Sequence, residues 1–179
     1  MPKQEEHTAL AYEPVTAPDT DTLDLGILDD FIGMHLRVAY EVAYDDFAWR
    51  LGDVALRPGY FTILTLIVRN PRISQTQIGL ASSRDKSSIT NALRWMEDNG
   101  YVTRLRSAHD RRTHLSVATD KGRALQAEME AKATAHIDVL NAAIGPGKRD
   151  EFVAQLKRLI ETLRQAQTEA NTEACAQTR

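Results

Sequence analysis

The sequence predicts a mainly α-helical chain with one small β-hairpin, and three observations predict it. Apolar residues recur at helical spacing on both sides of residues 70–118. Two short segments with polar caps, opening at Ser74 and Asp85, follow one another directly. After Gly100 the pattern changes to two β-rich runs, residues 101–106 and 113–117, joined by a polar tip.

The first short helix opens at Ser74 with Gln77 three residues on, the spacing of a capping box. Its free N-terminus, with Ser74, Gln75 and Thr76, suits a phosphate. The second opens at Asp85, whose carboxylate can accept from the first-turn N–H groups, and stops at Gly100. Ile89, Leu93 and Met96 recur on one side and pack inward. Lys86, Ser87, Thr90, Asn91 and Arg94 then face outward, a set of hydroxyls, an amide and cations that can reach phosphates and base edges in a major groove. Arg84 and Ser88 complete the candidate contacts at this end. The bland alternative is the solvated face of an ordinary helix. The hairpin tip, residues 107–112, carries Asp110, Arg111 and Arg112, and paired arginines suit a narrow minor groove. Its alternative is a surface turn in which Asp110 pairs with an arginine. Two helices, a turn and a hairpin with a basic tip make a winged helix-turn-helix, here residues 56–118.

The rest of the chain divides around that module. Residues 1–24 are acidic, proline-punctuated and aperiodic, which reads as a flexible arm. A helical period runs from residue 25 to 51, with Leu28, Phe31, Ile32, His35, Leu36, Ala39, Val42, Ala43 and Phe47 on one face; such a rod would be roughly 35–40 Å long. Arg57-Pro58-Gly59 opens a helix that presents Phe61, Leu64, Leu66, Ile67 and Val68 to a core and ends at Asn70-Pro71. A long helix is expected from Thr119 to Ile144, stopped by Gly145-Pro146-Gly147. A last helix spans about 148–167, and residues 168–179 are expected to fray. Residues 25–55 and 119–167 would form a helical dimerisation region. A homodimer would place two recognition helices roughly 34 Å apart on an imperfect palindrome of double-stranded DNA.

Net charge is −3, but it is unevenly placed. Residues 84–112 hold seven cations against four carboxylates, whereas residues 1–30 hold Lys3 against eight acids. No apolar run approaches the ~20 residues of a membrane span, and no signal-peptide pattern opens the chain, so a cytoplasmic protein without a membrane partner is expected. The single cysteine, Cys175, falls in the expected tail, which argues against a redox sensor. His7, His35, His109, His114 and His136 are dispersed, so no metal site is expected. No phosphate-binding glycine loop or nucleophile elbow is present, and neither an enzyme nor a cofactor is expected. An architectural DNA-binding protein without effector control, or an enzyme acting on aromatic acids, are the alternatives.

Residues 56–125 resemble the MarR (multiple antibiotic resistance regulator) family of bacterial transcription factors. The likeness rests on Asp-Lys-Ser-Ser-Ile-Thr at 85–90, Met96-Glu97-Asp98-Asn99-Gly100, the wing signature Asp110, Arg112 and Thr119, and the helix opening Thr119-Asp-Lys-Gly122. Trp95 departs from the basic or polar residue often found there. The resemblance implies a repressor whose effector binds between the dimer helices and the DNA module and alters the spacing of the recognition helices. His35, Tyr40, Tyr44, Trp49, Tyr60 and Phe61 are candidate lining groups, suited to a small aromatic acid, although ordinary core packing would use the same residues. Arg57-Pro-Gly-Tyr-Phe-Thr and Arg84-Asp-Lys-Ser-Ser are similar to MarR-type repressors of aromatic-acid catabolism, some of which respond to aryl-CoA thioesters such as p-coumaroyl-CoA. For such an effector, Arg37, Arg50 and Arg57 are candidate cations for the CoA phosphates.

Overall fold

The computed structural model describes residues 23–52, 58–106 and 113–177, with side chains through Ala174. The described residues fall into two units, divided between Tyr40 and Glu41. The expected arm falls almost wholly outside the described residues, as do Arg57 and the tip residues 107–112.

Helix α1 covers Ile32–Leu51. The expected helix from residue 25 is instead interrupted: one 3-10 turn, Gly26–Leu28, precedes α1 and is separated from it. Gly26 takes a left-handed φ of 53°, and the Asp24 carboxylate accepts its N–H at 2.9 Å, a local turn that competes with helix. The 20 residues of α1 therefore span roughly 30 Å, shorter than expected. Its apolar face is also less buried than a core face would be. Phe31, Ile32, Leu36 and Val42 are exposed, and only Leu51 is fully buried.

Helix α2, Pro58–Arg69, begins on a proline that needs no N–H at that position. Ile63, Leu64 and Ile67 form its buried stripe. The Asn70 side chain donates to the Leu66 carbonyl at 2.9 Å and closes the helix before Pro71. A two-residue strand β1, Ile73–Ser74, follows directly, an element that the sequence pattern does not predict. Helix α3, Gln75–Ser82, and helix α4, Lys86–Asp98, come next. Strands β2, Val102–Arg106, and β3, His114–Ala118, form the hairpin, aligned from Val102 opposite Ala118 to Arg106 opposite His114. β1 pairs with the other edge of β3, Ile73 opposite Ser116, in the order β1-β3-β2. Two residues carry no alternation pattern, so only the tertiary pairing reveals β1.

Ile78, Ile89, Leu93, Met96, Val102 and Met129 close the core beneath α2. Helix α5, Asp120–Ile144, enters this core through Gln126, Met129 and Ala133, then stops at Gly145. Helix α6 runs Arg149–Gln177, ten residues beyond its expected end at 167. Its apolar period does end near Leu163, but no Gly or Pro follows, and Gln, Ala and Glu hold helix without a buried face. The Gln165 amide donates to Glu169 at 2.9 Å, one turn on. Among the described residues, no helix is long and apolar enough to cross a membrane.

The end of α4 and the start of α5 meet at one joint. Gly100 takes φ 71°, and the N–H groups of Gly100 and Tyr101 reach the carbonyls of Glu97 and Met96 at 2.9 and 2.8 Å, a Schellman closure. The Thr119 hydroxyl donates to the Gly100 carbonyl at 2.7 Å and accepts from the Gly122 N–H at 3.1 Å. A Cβ on Gly122 would lie 2.0 Å from the Tyr101 carbonyl oxygen. Gly122→Ala should therefore destabilise the fold by about 1–3 kcal/mol, the range of an overpacked core, by forcing this joint apart. Chemical denaturation measures it; an unchanged midpoint would show that the backbone yields without cost.

Candidate nucleic-acid interface

The capping box at Ser74 is present in full. The Ser74 Oγ accepts from the Gln77 N–H at 3.3 Å, and Gln77 Oε1 accepts from the Ser74 N–H at 3.0 Å. Gln75 and Thr76 then stand at the open first turn of α3, with Thr76 exposed. Gln75 does not simply face solvent, because its amide donates to the Thr90 hydroxyl at 2.6 Å and so ties α3 to α4. Thr90 in turn donates to the Lys86 carbonyl at 2.7 Å. Thr90, expected to face outward, is half-buried and takes part in the helix–helix contact.

Asp85 caps α4 by accepting from the Ser88 N–H at 2.8 Å, from the Ser88 hydroxyl at 2.5 Å and from the Ser87 hydroxyl. These bonds, the Ser87 hydroxyl foremost and the Ser88 groups next, hold the Asp85 carboxyl well below the usual carboxylate range. Ser87 and Ser88 are thereby committed to the cap. Lys86, Asn91 and Arg94 are exposed along α4, while Ile89, Ala92, Leu93 and Met96 are buried. Arg84 packs against the start of α2, where a Cβ on Gly59 would meet its guanidinium. Asp110, Arg111 and Arg112 lie outside the described residues.

A groove of about 740 Å³ opens beside this face, lined by the first residues of α3 and by Arg84, Lys86, Arg104, His114 and Arg164 among others. Among the described residues, no carboxylate lines it. Arg104 enters from β2, with its Nε buried without a partner and a terminal nitrogen 4.0 Å from Glu97. Arg104 and Arg164 are absent from the candidates that the sequence suggests. β-strand alternation could have pointed to Arg104, but nothing local marks Arg164.

The residues expected around an effector are distributed differently. His35, Arg37 and Tyr40 belong to the first unit, where His35 Nε2 lies 2.6 Å from the Asp29 carbonyl. In the second unit, Tyr44 is half-buried on α1 and Trp49 is 77% exposed, with the Arg50 guanidinium 5.6 Å from its ring centre. Tyr60 and Phe61, though adjacent, join different aromatic groups. Tyr60 lies 5.3 Å from Trp95, which stacks on Tyr101 at 5.7 Å; this defines the place of Trp95. Phe61 meets Phe47 edge-on at 5.3 Å, and Phe47 stacks on His136 at 5.2 Å. Arg50 is engaged by Asp46 through bonds of 2.7 and 3.0 Å, and the same carboxylate lies 2.6 Å from His136 Nδ1. Arg50 and then His136 hold the Asp46 carboxyl down at about 2.

A capped pair of short helices, a cation-lined groove and an antiparallel hairpin define a winged helix-turn-helix DNA-binding protein. The MarR family model matches residues 56–114. A structure of the transcriptional repressor CouR bound to a 23-mer DNA duplex is 32% identical, covers 77% of this chain and 98% of its own, and superposes with a TM-score of 0.72. CouR bound to p-coumaroyl-CoA is 30% identical, covers 77% and 97%, and gives 0.70. A Thauera aromatica protein assigned to transcriptional regulation of the hcr operon is 29% identical over 129 residues, 72% of this chain and 78% of that one. The chain belongs to the MarR family. It is a transcriptional regulator and not an enzyme.

The depressed Asp85 carboxyl sets a pH dependence with a definite sign. Its stabilisation of α4 is fully present above the unfolded value of about 3.9 and is lost as pH falls through the lower folded value. The stability difference between wild type and Asp85→Ala should therefore be largest near neutrality and shrink below about pH 4. A difference that stays constant across that range in denaturation experiments would exclude the carboxylate as its source.

Proposed function

We propose that this regulator binds a palindromic operator as a homodimer, represses transcription from it, and is released by a small aromatic effector, an aryl-CoA thioester such as p-coumaroyl-CoA. The observation that carries the DNA half is the α4 face. Lys86, Asn91 and Arg94 are exposed beside a cation-lined groove, while the opposite side of the same helix is locked into the core. The Gln75–Thr90 bond braces this surface. Arg112, at the tip between β2 and β3, would probe the minor groove.

Exposed apolar side chains on three helices support the homodimer: Val42 and Trp49 on α1, Ile137 and Val139 on α5, Phe152, Ile160 and Leu163 on α6. Apolar surface of this extent marks an interaction face. A two-fold pair would set two α4 helices about one DNA turn apart.

The effector class is supported by the likeness to CouR, whose structures include one with p-coumaroyl-CoA. Release follows from linkage. An effector that favours the spacing incompatible with DNA lowers DNA affinity by its coupling energy, and ~3 kcal/mol corresponds to more than a hundredfold. Arg37, Arg50 and Arg57 are the candidates for the CoA phosphates, and Arg50 would have to leave Asp46 to serve.

Fluorescence anisotropy on DNA from the protein's own upstream region tests both halves. Wild-type protein should bind and should be released by p-coumaroyl-CoA; release only by free p-coumarate would replace the thioester with a closed phenolic site, and no release by either would discard this effector class. Asn91→Ala should cost ~1–3 kcal/mol on the operator and less on random duplex, as a base-reading amide requires. Equal losses on both would reduce Asn91 to a phosphate ligand.

A further inference from the structure

The C-terminal helix places one cation on the DNA face. Arg164 projects from α6 so that its guanidinium donates to the Ser83 hydroxyl, 81 residues away in sequence. Ser83 is the left-handed residue, φ 52° and ψ 35°, that ends α3 and turns the chain toward α4. Arg164 lines the same groove as Thr76, Arg84, Lys86 and Arg104. The partner of its guanidinium is a neutral hydroxyl, and among the described residues no carboxylate lies within ion-pair distance of it. Two other arginines of α5 and α6, Arg123 and Arg149, are each matched to an aspartate on their own helix. Arg164 is exposed, with its guanidinium directed at a polar turn.

We propose that Arg164 is a DNA-phosphate ligand: α6 delivers it to the groove beside the α3–α4 turn, where a phosphodiester is held jointly by Arg164, Arg84 and Lys86. The inference rests on the DNA-binding reading above and extends it beyond the winged module, to a residue 50 positions past the part of the chain that matches the MarR family model. Four cations, Arg84, Lys86, Arg104 and Arg164, around one groove with no carboxylate among its described lining residues attract an anion of the backbone without reading sequence. The Ser83 bond orients the guanidinium while leaving its remaining N–H donors free for phosphate oxygens.

Salt-dependent binding separates this role from a structural one. Affinities of wild type, Arg164→Ala, Arg164→Lys and Ser83→Ala are measured on operator and random duplex over a series of salt concentrations. Arg164→Ala should weaken both duplexes by the same factor and flatten the plot of log affinity against log salt by roughly 0.9 for each phosphate that is no longer neutralised. Arg164→Lys and Ser83→Ala should keep the wild-type slope, since each retains the charge. An Arg164→Ala protein that loses affinity with an unchanged slope would make Arg164 a positioning residue acting through Ser83 and overturn the proposal. Unchanged affinity would overturn it as well. Wild-type protein that binds neither duplex would instead remove the DNA reading, and this inference with it.

Discussion

The hydroxyl of Thr119 is the point on which the molecule depends. It donates to the carbonyl that closes α4 and accepts from the backbone that opens α5. The strand β2 leaves from the same place, and Thr119 N–H returns to the Tyr101 carbonyl at 3.0 Å. Gly122 is pressed so closely against Tyr101 that any side chain there would force the two backbones apart. Helix α4, the hairpin and the long helix α5 thus share a few backbone groups, each with its hydrogen bond satisfied by another. Lys121 reinforces the arrangement, donating to the Asn99 carbonyl at 2.9 Å while lying 4.6 Å from the Tyr101 ring centre.

From that joint the DNA face follows by local rules. α4 is amphipathic, so burying Ile89, Leu93 and Met96 presents Asn91 and Arg94 outward. The Gln75–Thr90 bond then makes α3 and α4 one body. An interaction made by either helix positions the other, so on the proposed reading a phosphate held at α3 would set the register of α4.

Much of this was legible in the chain because it depends on neighbours in sequence. The Ser74 capping box, the Asp85 cap, the Gly100 stop and the inward triad of α4 are interactions over three to seven residues, and the structure holds all four. What escaped depends on distant partners. β1 exists only because β3 offers an edge to Ile73 and Ser74. Thr90 looks solvent-facing by helical period until Gln75 arrives from another helix. The role of Trp95 needs Tyr60 and Tyr101 on either side. Arg164 lies at the unpatterned end of α6, where apolar spacing no longer carries information. The aromatic contacts escaped for the same reason: Tyr60 and Phe61 are neighbours in the chain but point about 100° apart around a helix, toward different ring partners.

The length of α5 has a mechanical consequence. Its 25 residues extend roughly 37 Å from the Thr119 joint, and α4 extends roughly 20 Å from the same joint. As a bent lever pivoting there, a displacement of about 3 Å at the far end of α5 is a rotation of about 5°, which moves the leading turn of α4 by about 2 Å. Hydrogen bonds to base edges hold only over a few tenths of an ångström around 2.9 Å. On the proposed reading of α4, a movement that small at a remote helix end would be enough to take Asn91 out of register with a base edge.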